Sequence, residues 1–412
     1  MAKIKAFYGI RPACGLAEKI GALPYDVYSR EEAREAVKQN SLSFLNIDRP
    51  ETQFEAGHDM YAPEVYQKAR ELLWNMVRDG KFVQEEKPCY YLYALTMNGR
   101  TQTGIVACAS IDDYQNGVIR KHENTRAEKE EDRIRHVDVC NAQTGPIFLA
   151  YRKNETLEEV VKRTREKSPV FDFTSEDGVT HQGWIIDEEE EKKIIENTFA
   201  GIDHIYIADG HHRAASAVKV GLKRREQNPG YDGSEEFNYF LSVLFPDEEL
   251  MIMDYNRAVK DLNGLTVKEF LHKISGKCTV TLETEAVHPM HKGQMGMYLE
   301  KQWYRLDMKP EFCSADPVEG LDVSFLQREI LFPILDIRDP KTDNRIDFIG
   351  GIRGLEELER RVQNDCAVAF AMYPTSIEEL FSVADAGKLM PPKSTWFEPK
   401  LRSGLFIHEF ER

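Results

Sequence analysis

The chain is short of positive charge, has no paired-cysteine pattern and contains no long apolar run. Its 54 Lys and Arg residues stand against 70 Asp and Glu, a formal net charge of −16. Phosphate backbones repel such a surface, which argues against a protein that tracks nucleic acid unless a local basic patch intervenes. A small anionic substrate is still allowed, because the field in a pocket is set locally. The seven cysteines (Cys14, Cys89, Cys108, Cys140, Cys278, Cys313, Cys366) are scattered without a C-x-x-C pair. That pattern indicates neither a disulfide framework nor a structural zinc and suits reduced core thiols. No apolar stretch approaches bilayer length; Phe237 to Phe245 is among the longest and reads as a buried strand. Met1 to Phe7 carries positive charge but lacks the continuous apolar core of a signal peptide before Arg11-Pro12. A cytoplasmic location without a membrane partner is therefore expected. Walker A and protein-kinase signatures are also missing, so any kinase chemistry must use a different site.

With 412 residues, 42% hydrophobic and 30% charged, the chain is long enough for two or more lobes around a shared cleft. Helical patterning covers Glu31 to Lys38 and Pro63 to Arg78, and Gly80 closes the second. Cys89 to Leu95 and Thr103 to Ala109 flank Asn98-Gly99, a strong hairpin signal. The charge-rich segment Arg120 to His136 reads as a solvated helix. Further expected elements are a strand at Gly145 to Tyr151, a helix from Thr156 to Lys167 capped by Thr156, and a strand at Gly183 to Ile186, after which Asp187 can cap an acidic helix. Another strand is expected at Phe240 to Phe245. Alternation from about residue 88 to 255 suggests a compact mixed-sheet domain. Beyond it, Met295 to Leu299 and Trp303 to Met308 read as a hairpin, Ser324 to Leu331 as a helix, and Gly404 to Phe410 as a strand. Gly350-Gly351 before the helix Leu355 to Val362 could form an anion-binding turn, though close strand–helix contact explains it better.

Asp209-Gly210-His211-His212-Arg213 is the most informative segment, set between the apolar run His204 to Ala208 and a helix-like stretch from Ala214 to Glu226. A strand that turns on glycine into a helix leaves backbone N–H groups at the helix start, and these attract phosphate. The basic residues oppose the helix dipole there, an arrangement that makes sense around a bound anion, although an Asp-Gly turn with a solvated first turn would need no ligand. Asp209 can cap the helix, coordinate a divalent metal or take a proton. His211 and His212 are adjacent on a helix and so make poor co-ligands for zinc.

The chain resembles a large bacterial and archaeal family of unknown function, domain-of-unknown-function family 1015, built around the DGHHR signature and related to free serine kinases. The resemblance rests on Leu23-Pro24-Tyr25-Asp26-Val27, Lys121-His122-Glu123-Asn124-Thr125, Thr144-Gly145-Pro146-Ile147-Phe148, Ile207 to Arg213, and Pro392 to Phe397. It implies an α+β fold: a mixed-sheet ParB/sulfiredoxin-like core at 88–255, an N-terminal extension at 1–87 packing on it, and an α/β lobe at 256–412 closing the cleft. It also implies a phosphotransferase acting on free L-serine or a similar small hydroxyl compound, with ATP, ADP or pyrophosphate as donor and Mg2+ at Asp209. By the same resemblance Glu123 inherits the role of base, although its distance along the chain leaves it unplaced relative to Asp209. Gly210, His211, His212, Arg213 and Lys393 are the expected phosphate ligands. His122, Arg133, His136, Ser394 and Thr395 are expected around the substrate, with Arg135, Arg257 and Arg353 as lesser candidates. Three rivals remain: a phosphomonoester phosphatase using water as acceptor, a non-enzymatic nucleotide-binding ParB-like module, and a metal-dependent hydrolase built on His122, His136, His211 and His212. The oligomeric state is open.

Overall fold

The computed structural model describes residues 1–125 and 127–411 and divides into two units, Met1–Leu250 with Pro399–Arg412, and Met251–Glu398. The chain therefore leaves the first unit, builds the second, and returns for its last segment.

The first unit is organised by a nine-stranded mixed sheet. Its strands are β1 (Ile4–Lys5), β2 (Tyr90–Met97), β3 (Arg100–Ser110), β4 (Ile119–Arg120), β5 (Ile147–Tyr151), β6 (Phe171–Thr174), β7 (Thr180–Ile186), β8 (Ile205–Asp209) and β9 (Tyr239–Pro246). The order is β4-β8-β5-β9-β3-β2-β7-β6, with β1 also on β3. Pairs β4–β8 and β5–β9 are parallel, and the remaining pairs are antiparallel. The β2–β3 hairpin turns at Asn98 and Gly99, both with positive φ, as a tight two-residue turn requires.

Strands β5 and β9 are buried at every position, so both faces of the sheet are covered. On one face Leu92, Ile105, Leu149 and Phe240 join Leu157, Ile195, Phe199 and Ala217 from helices. On the other, Tyr91 and Tyr93 pack their rings on Phe406 from the returning C-terminal segment, at 5.0 and 5.6 Å. Alternation of side chains along each strand makes these two layers.

Helices α1 (Arg30–Gln39), α2 (Pro63–Arg78), α3 (Ala127–Cys140), α4 (Glu155–Arg165) and α5 (His211–Gln227) complete the parts that matter for the site. Ser29 and Glu32 form a capping box at α1, and Pro63 opens α2. Helix α3 is not the solvated helix its composition suggests. Glu130, Arg133 and His136 are buried, and their polar groups are met by neighbours. Tyr66 of α2 donates to Asp132 at 2.9 Å, Trp74 donates to the Cys140 carbonyl at 3.0 Å, and Lys219 of α5 pairs with Glu130. A buried charge is tolerated when paired in this way. Arg135 alone of the three basic candidates faces outward, paired with Glu131 at 2.8 Å. Helix α4 is capped by Asn154, whose Oδ1 accepts from Thr156 and Leu157 N–H, rather than by Thr156. The acidic helix begins at Glu189 after Glu188, not Asp187.

The second unit holds a six-stranded antiparallel sheet of β10 (Tyr255–Val259), β11 (Cys278–Glu283), β12 (Gln294–Leu299), β13 (Gln302–Met308), β14 (Ile346–Gly350) and β15 (Val368–Ala371). The order is β11-β13-β12-β15-β10-β14, and β12–β13 is the expected hairpin. Helix α6 (Leu355–Asn364) buries Leu355 and Leu358 against Ala258, Tyr298 and Ala369. The expected helix at 324–331 is a short α-turn, Asp322–Phe325, that widens into a π-turn over Leu326–Leu331. Of the expected final strand His408–Glu409 forms a ladder with Ala142–Gln143, and Ile407 makes a single bridge to Ile10. Among the described residues no helix is long and apolar enough to cross a membrane. Five of the seven cysteines are buried, Cys14 and Cys313 are exposed, and all are free.

Candidate functional site

Strand β8 ends at Asp209, the chain turns through Gly210 at φ +91°, and α5 starts at His211. An L side chain rarely adopts that backbone conformation, which explains glycine here. The first bond of the helix runs from Ala214 N–H to the Gly210 carbonyl, 2.9 Å. The N–H groups of His211, His212 and Arg213 therefore precede the helical ladder and mark its positive end. Asp209 does not cap the helix; its Oδ1 accepts the N–H of Gly210 at 2.8 Å.

The parallel pairing of β4 with β8 matches Ile119 to Ile205 and Arg120 to Tyr206. His122 and Glu123 follow closely on β4, just as Gly210 and His211 follow on β8, so all four lie just past the carboxyl ends of two parallel strands. In open sheets containing parallel strands, ligands bind at such ends. Glu123 Oε2 lies 3.8 Å from His211 Nδ1. His122 and His211 meet edge to face with ring centroids 4.5 Å apart, and both are buried. Nε2 of His211 has no hydrogen-bond partner among the described residues, and the ring nitrogens of His122 make no well-aligned one, although the Ile207 backbone lies near enough to favour the protonated ring. Burial pushes His122 down to about 4 against the pull of Asp209, and pushes His211 well below the usual histidine range, helped by His122. Both rings are neutral at pH 7. Unmatched buried nitrogens of this kind cost stability unless something else supplies their partner.

On the other side of Asp209, Lys400 Nζ lies 3.4 Å and Arg213 Nη2 3.9 Å from its Oδ2. Burial opposes ionisation of Asp209, but Lys400, Arg213 and the Gly210 N–H together outweigh it and hold the carboxyl well below the usual carboxylate range. Arg213 is further tied by Nη1 to the Pro146 carbonyl at 2.6 Å. His212 is half-buried in the first turn of α5. Lys400 was not among the sequence candidates, and it arrives only with the returning C-terminal segment.

Behind Arg213 lies a cavity of ≈ 40 Å³, walled by Tyr25, Asp48, Arg133, His136, Gly145 and Ser403 among others. It joins three of the resemblance segments, those around Tyr25, Gly145 and Arg213. Arg133 and His136 belong to this wall rather than to the Asp209 turn. Arg133 is paired with Asp132 at 2.7 Å, and His136 Nε2 meets the Ile47 carbonyl at 2.8 Å.

Lys393, Ser394 and Thr395 belong to the second unit. Lys393 is exposed at φ +59° and its carbonyl accepts from Arg257 Nη2 at 2.9 Å. Ser394 is buried, with Oγ donating to the Pro391 carbonyl at 2.7 Å. Thr395 is half-buried. Arg257 is itself buried, and burial lowers it to about 10. Arg353 lies in the short turn Gly351–Arg353 before α6, and the Gly351 N–H donates to the Asp254 carbonyl at 2.8 Å. Gly350 sits against the Trp396 ring, where a Cβ would come within 2.7 Å, so the Gly-Gly pair serves close contact.

Among the described residues no group of three or more His, Cys, Asp and Glu is placed to hold a metal ion. A single carboxylate completed by ligand phosphate oxygens is nevertheless how Mg2+ is often held, and Asp209, ionised at all working pH, offers such a carboxylate.

No curated protein matches the chain. Among solved structures, a free serine kinase bearing one substitution, in complex with AMP, is 16% identical, with 71% of this chain and 86% of that chain covered and a TM-score of 0.37. SbnI with a C-terminal truncation, from Staphylococcus aureus, is 11% identical over 71% of this chain and 82% of that one, with a TM-score of 0.37. A conserved hypothetical protein from Pyrococcus furiosus is 16% identical over 73% and 93%, with a TM-score of 0.35. Residues 4–324 match the family described as protein of unknown function (DUF1015), and the chain belongs to that family.

Proposed function

We propose that the protein is a small-molecule phosphotransferase that phosphorylates free L-serine or a similar small hydroxyl compound, using ATP, ADP or pyrophosphate. On this reading the mixed sheet of the first unit carries a ParB/sulfiredoxin-like core, and the active site lies at the carboxyl ends of β4 and β8. The observation that carries it is the meeting of Glu123 with His211 at the N-terminus of α5. A candidate base and a candidate phosphate cradle, far apart in the chain, share one place.

The donor's phosphates sit against the N–H groups of His211, His212 and Arg213, with the Arg213 and Lys400 side chains neutralising charge. His122 and His211, each a neutral ring with a single N–H, donate one hydrogen bond apiece to phosphate oxygens. Glu123 takes the proton of the acceptor hydroxyl as its oxygen bonds to the terminal phosphorus. The bond from that phosphorus to the bridging oxygen breaks, and the electron pair leaves on the departing phosphate. Asp209 would hold Mg2+, which would supply positive charge to neutralise the charge spreading over the transferred group. The remaining work is positioning and fixed positive charge, which need no covalent intermediate.

The test is to incubate the protein with serine and other small alcohols together with ATP, ADP or pyrophosphate, and to detect a phosphorylated product. Product formation that disappears in Asp209→Asn and His211→Ala, with the fold intact by circular dichroism, is the expected result. Donor consumption at the same rate with and without any alcohol would instead point to water as acceptor.

A further inference from the structure

We infer that a second pocket of the first unit, walled by tyrosine rings, binds an organic cation, and this stands independently of the phosphotransferase reading. The pocket measures ≈ 320 Å³ and shares Tyr25 and Arg133 with the small cavity behind Arg213. Tyr25, Tyr28, Tyr61 and Tyr66 contribute its aromatic surface, and Tyr61 is 49% exposed at its rim. Such a volume and lining match a site for a small organic molecule.

The charges in the wall decide which molecule. Three carboxylates, Asp26, Glu51 and Asp132, face two guanidiniums, Arg49 and Arg133. Each guanidinium directs most of its donors at the protein itself. Arg49 donates Nε to Glu51 at 2.6 Å and Nη1 to the carbonyls of Tyr25 and Tyr28 at 3.0 and 2.8 Å. Arg133 lies 4.1 Å over the Tyr25 ring and gives Nε and Nη2 to Asp132 at 2.9 and 2.7 Å. With these pairs matched, the carboxylate of Asp26 is the surplus charge, and it is exposed near the mouth. An anion would meet engaged cations and an excess negative charge. A quaternary or primary ammonium would meet tyrosine rings and a carboxylate, the surroundings that favour a cation.

The experiment is calorimetric titration of the full chain with choline chloride, with its uncharged isostere 3,3-dimethyl-1-butanol, and separately with inorganic pyrophosphate. Choline is expected to bind, with the isostere at least about tenfold weaker. Tyr61→Ala and Asp26→Asn, both at exposed side chains, are each expected to weaken choline by about 2- to 5-fold and to leave pyrophosphate affinity unchanged. Equal binding of choline and its isostere, no choline binding while pyrophosphate still binds, or unchanged choline affinity in both variants would each overturn the proposal. Choline binding without pyrophosphate binding would uphold this pocket and count only against the phosphate site.

Discussion

Replacing Gly210 by alanine is expected to loosen the first unit and to weaken pyrophosphate binding at once. The backbone at Gly210 has φ +91°, and an added Cβ would stand 3.0 Å from Arg213 Nη2 and 3.1 Å from its Nε. Holding an L residue there costs roughly 1–2 kcal/mol. Moving Arg213 aside breaks its bond to the Pro146 carbonyl, about 0.5–1.5 kcal/mol more. The sum of roughly 1.5–3.5 kcal/mol corresponds to a fall in Tm of about 3–14 °C for a unit of this size. Loss of one charge-assisted contact to the anion should weaken pyrophosphate at least about tenfold. Gly99→Ala is the control, since Gly99 also has positive φ but open space around it. It should carry the backbone cost alone, with pyrophosphate affinity unchanged. Thermal melts with and without pyrophosphate, together with titration calorimetry, measure both effects. If Gly210→Ala binds pyrophosphate as tightly as Gly99→Ala, the turn does not hold the anion and the reasoning fails.

Lys400→Met removes the main charge that counters burial at Asp209, so the carboxyl's pKa rises. Because the folded value is depressed, its contribution to stability is present above about pH 4 and is lost as pH falls below that. The stability gap between parent and variant should be about 1 kcal/mol or less at pH 7, since Asp209 is partly open to solvent, and should persist to about pH 4 because the folded carboxyl stays ionised there; urea denaturation at pH 7 that finds no gap would show the pairing to be unimportant. Burial holds His122 at about 4, below the ordinary histidine value, so this residue costs stability as pH falls from about 6.5 toward that value. His122→Asn should flatten this part of the acid profile. In histidine NMR titrations, pyrophosphate should move the His122 midpoint upward, and a midpoint unmoved by a saturating anion would separate the ring from the site. Glu123→Gln should reduce turnover by about 10²- to 10⁴-fold while pyrophosphate still binds, and turnover equal to the parent would remove Glu123 as the base.

Local signals made much of the fold legible. The Asn98-Gly99 hairpin, the helices opening at Arg30 and Pro63, and the strand–turn–helix around Gly210 each depend on residues close in sequence. The site was legible only where one segment supplies it. Glu123 reaches His211 because a two-residue parallel ladder sets the register of β4 on β8, and so short a ladder leaves no pattern in composition. Lys400 lies 191 positions from Asp209 with no local mark of its role. Helix α3 misled because charged residues ordinarily face water, whereas here Asp132, Arg133 and His136 find partners on Tyr66, Asp132 and the Ile47 carbonyl. Near the other end, Gly404 to Phe410 has strand-like residues but mostly wraps the sheet, where Phe406 fills a space between Tyr91 and Tyr93.

The return of Pro399–Arg412 to the first unit carries a consequence for biosynthesis. While a ribosome is still translating Met251–Glu398, the emerging protein already has Asp209 but not the lysine that neutralises it, nor the phenylalanine that seals one face of the sheet. A nascent chain stalled anywhere in that stretch would expose aromatic surface and leave the carboxylate to Arg213 alone, so maturation of the site must wait until Pro399–Arg412 has been made.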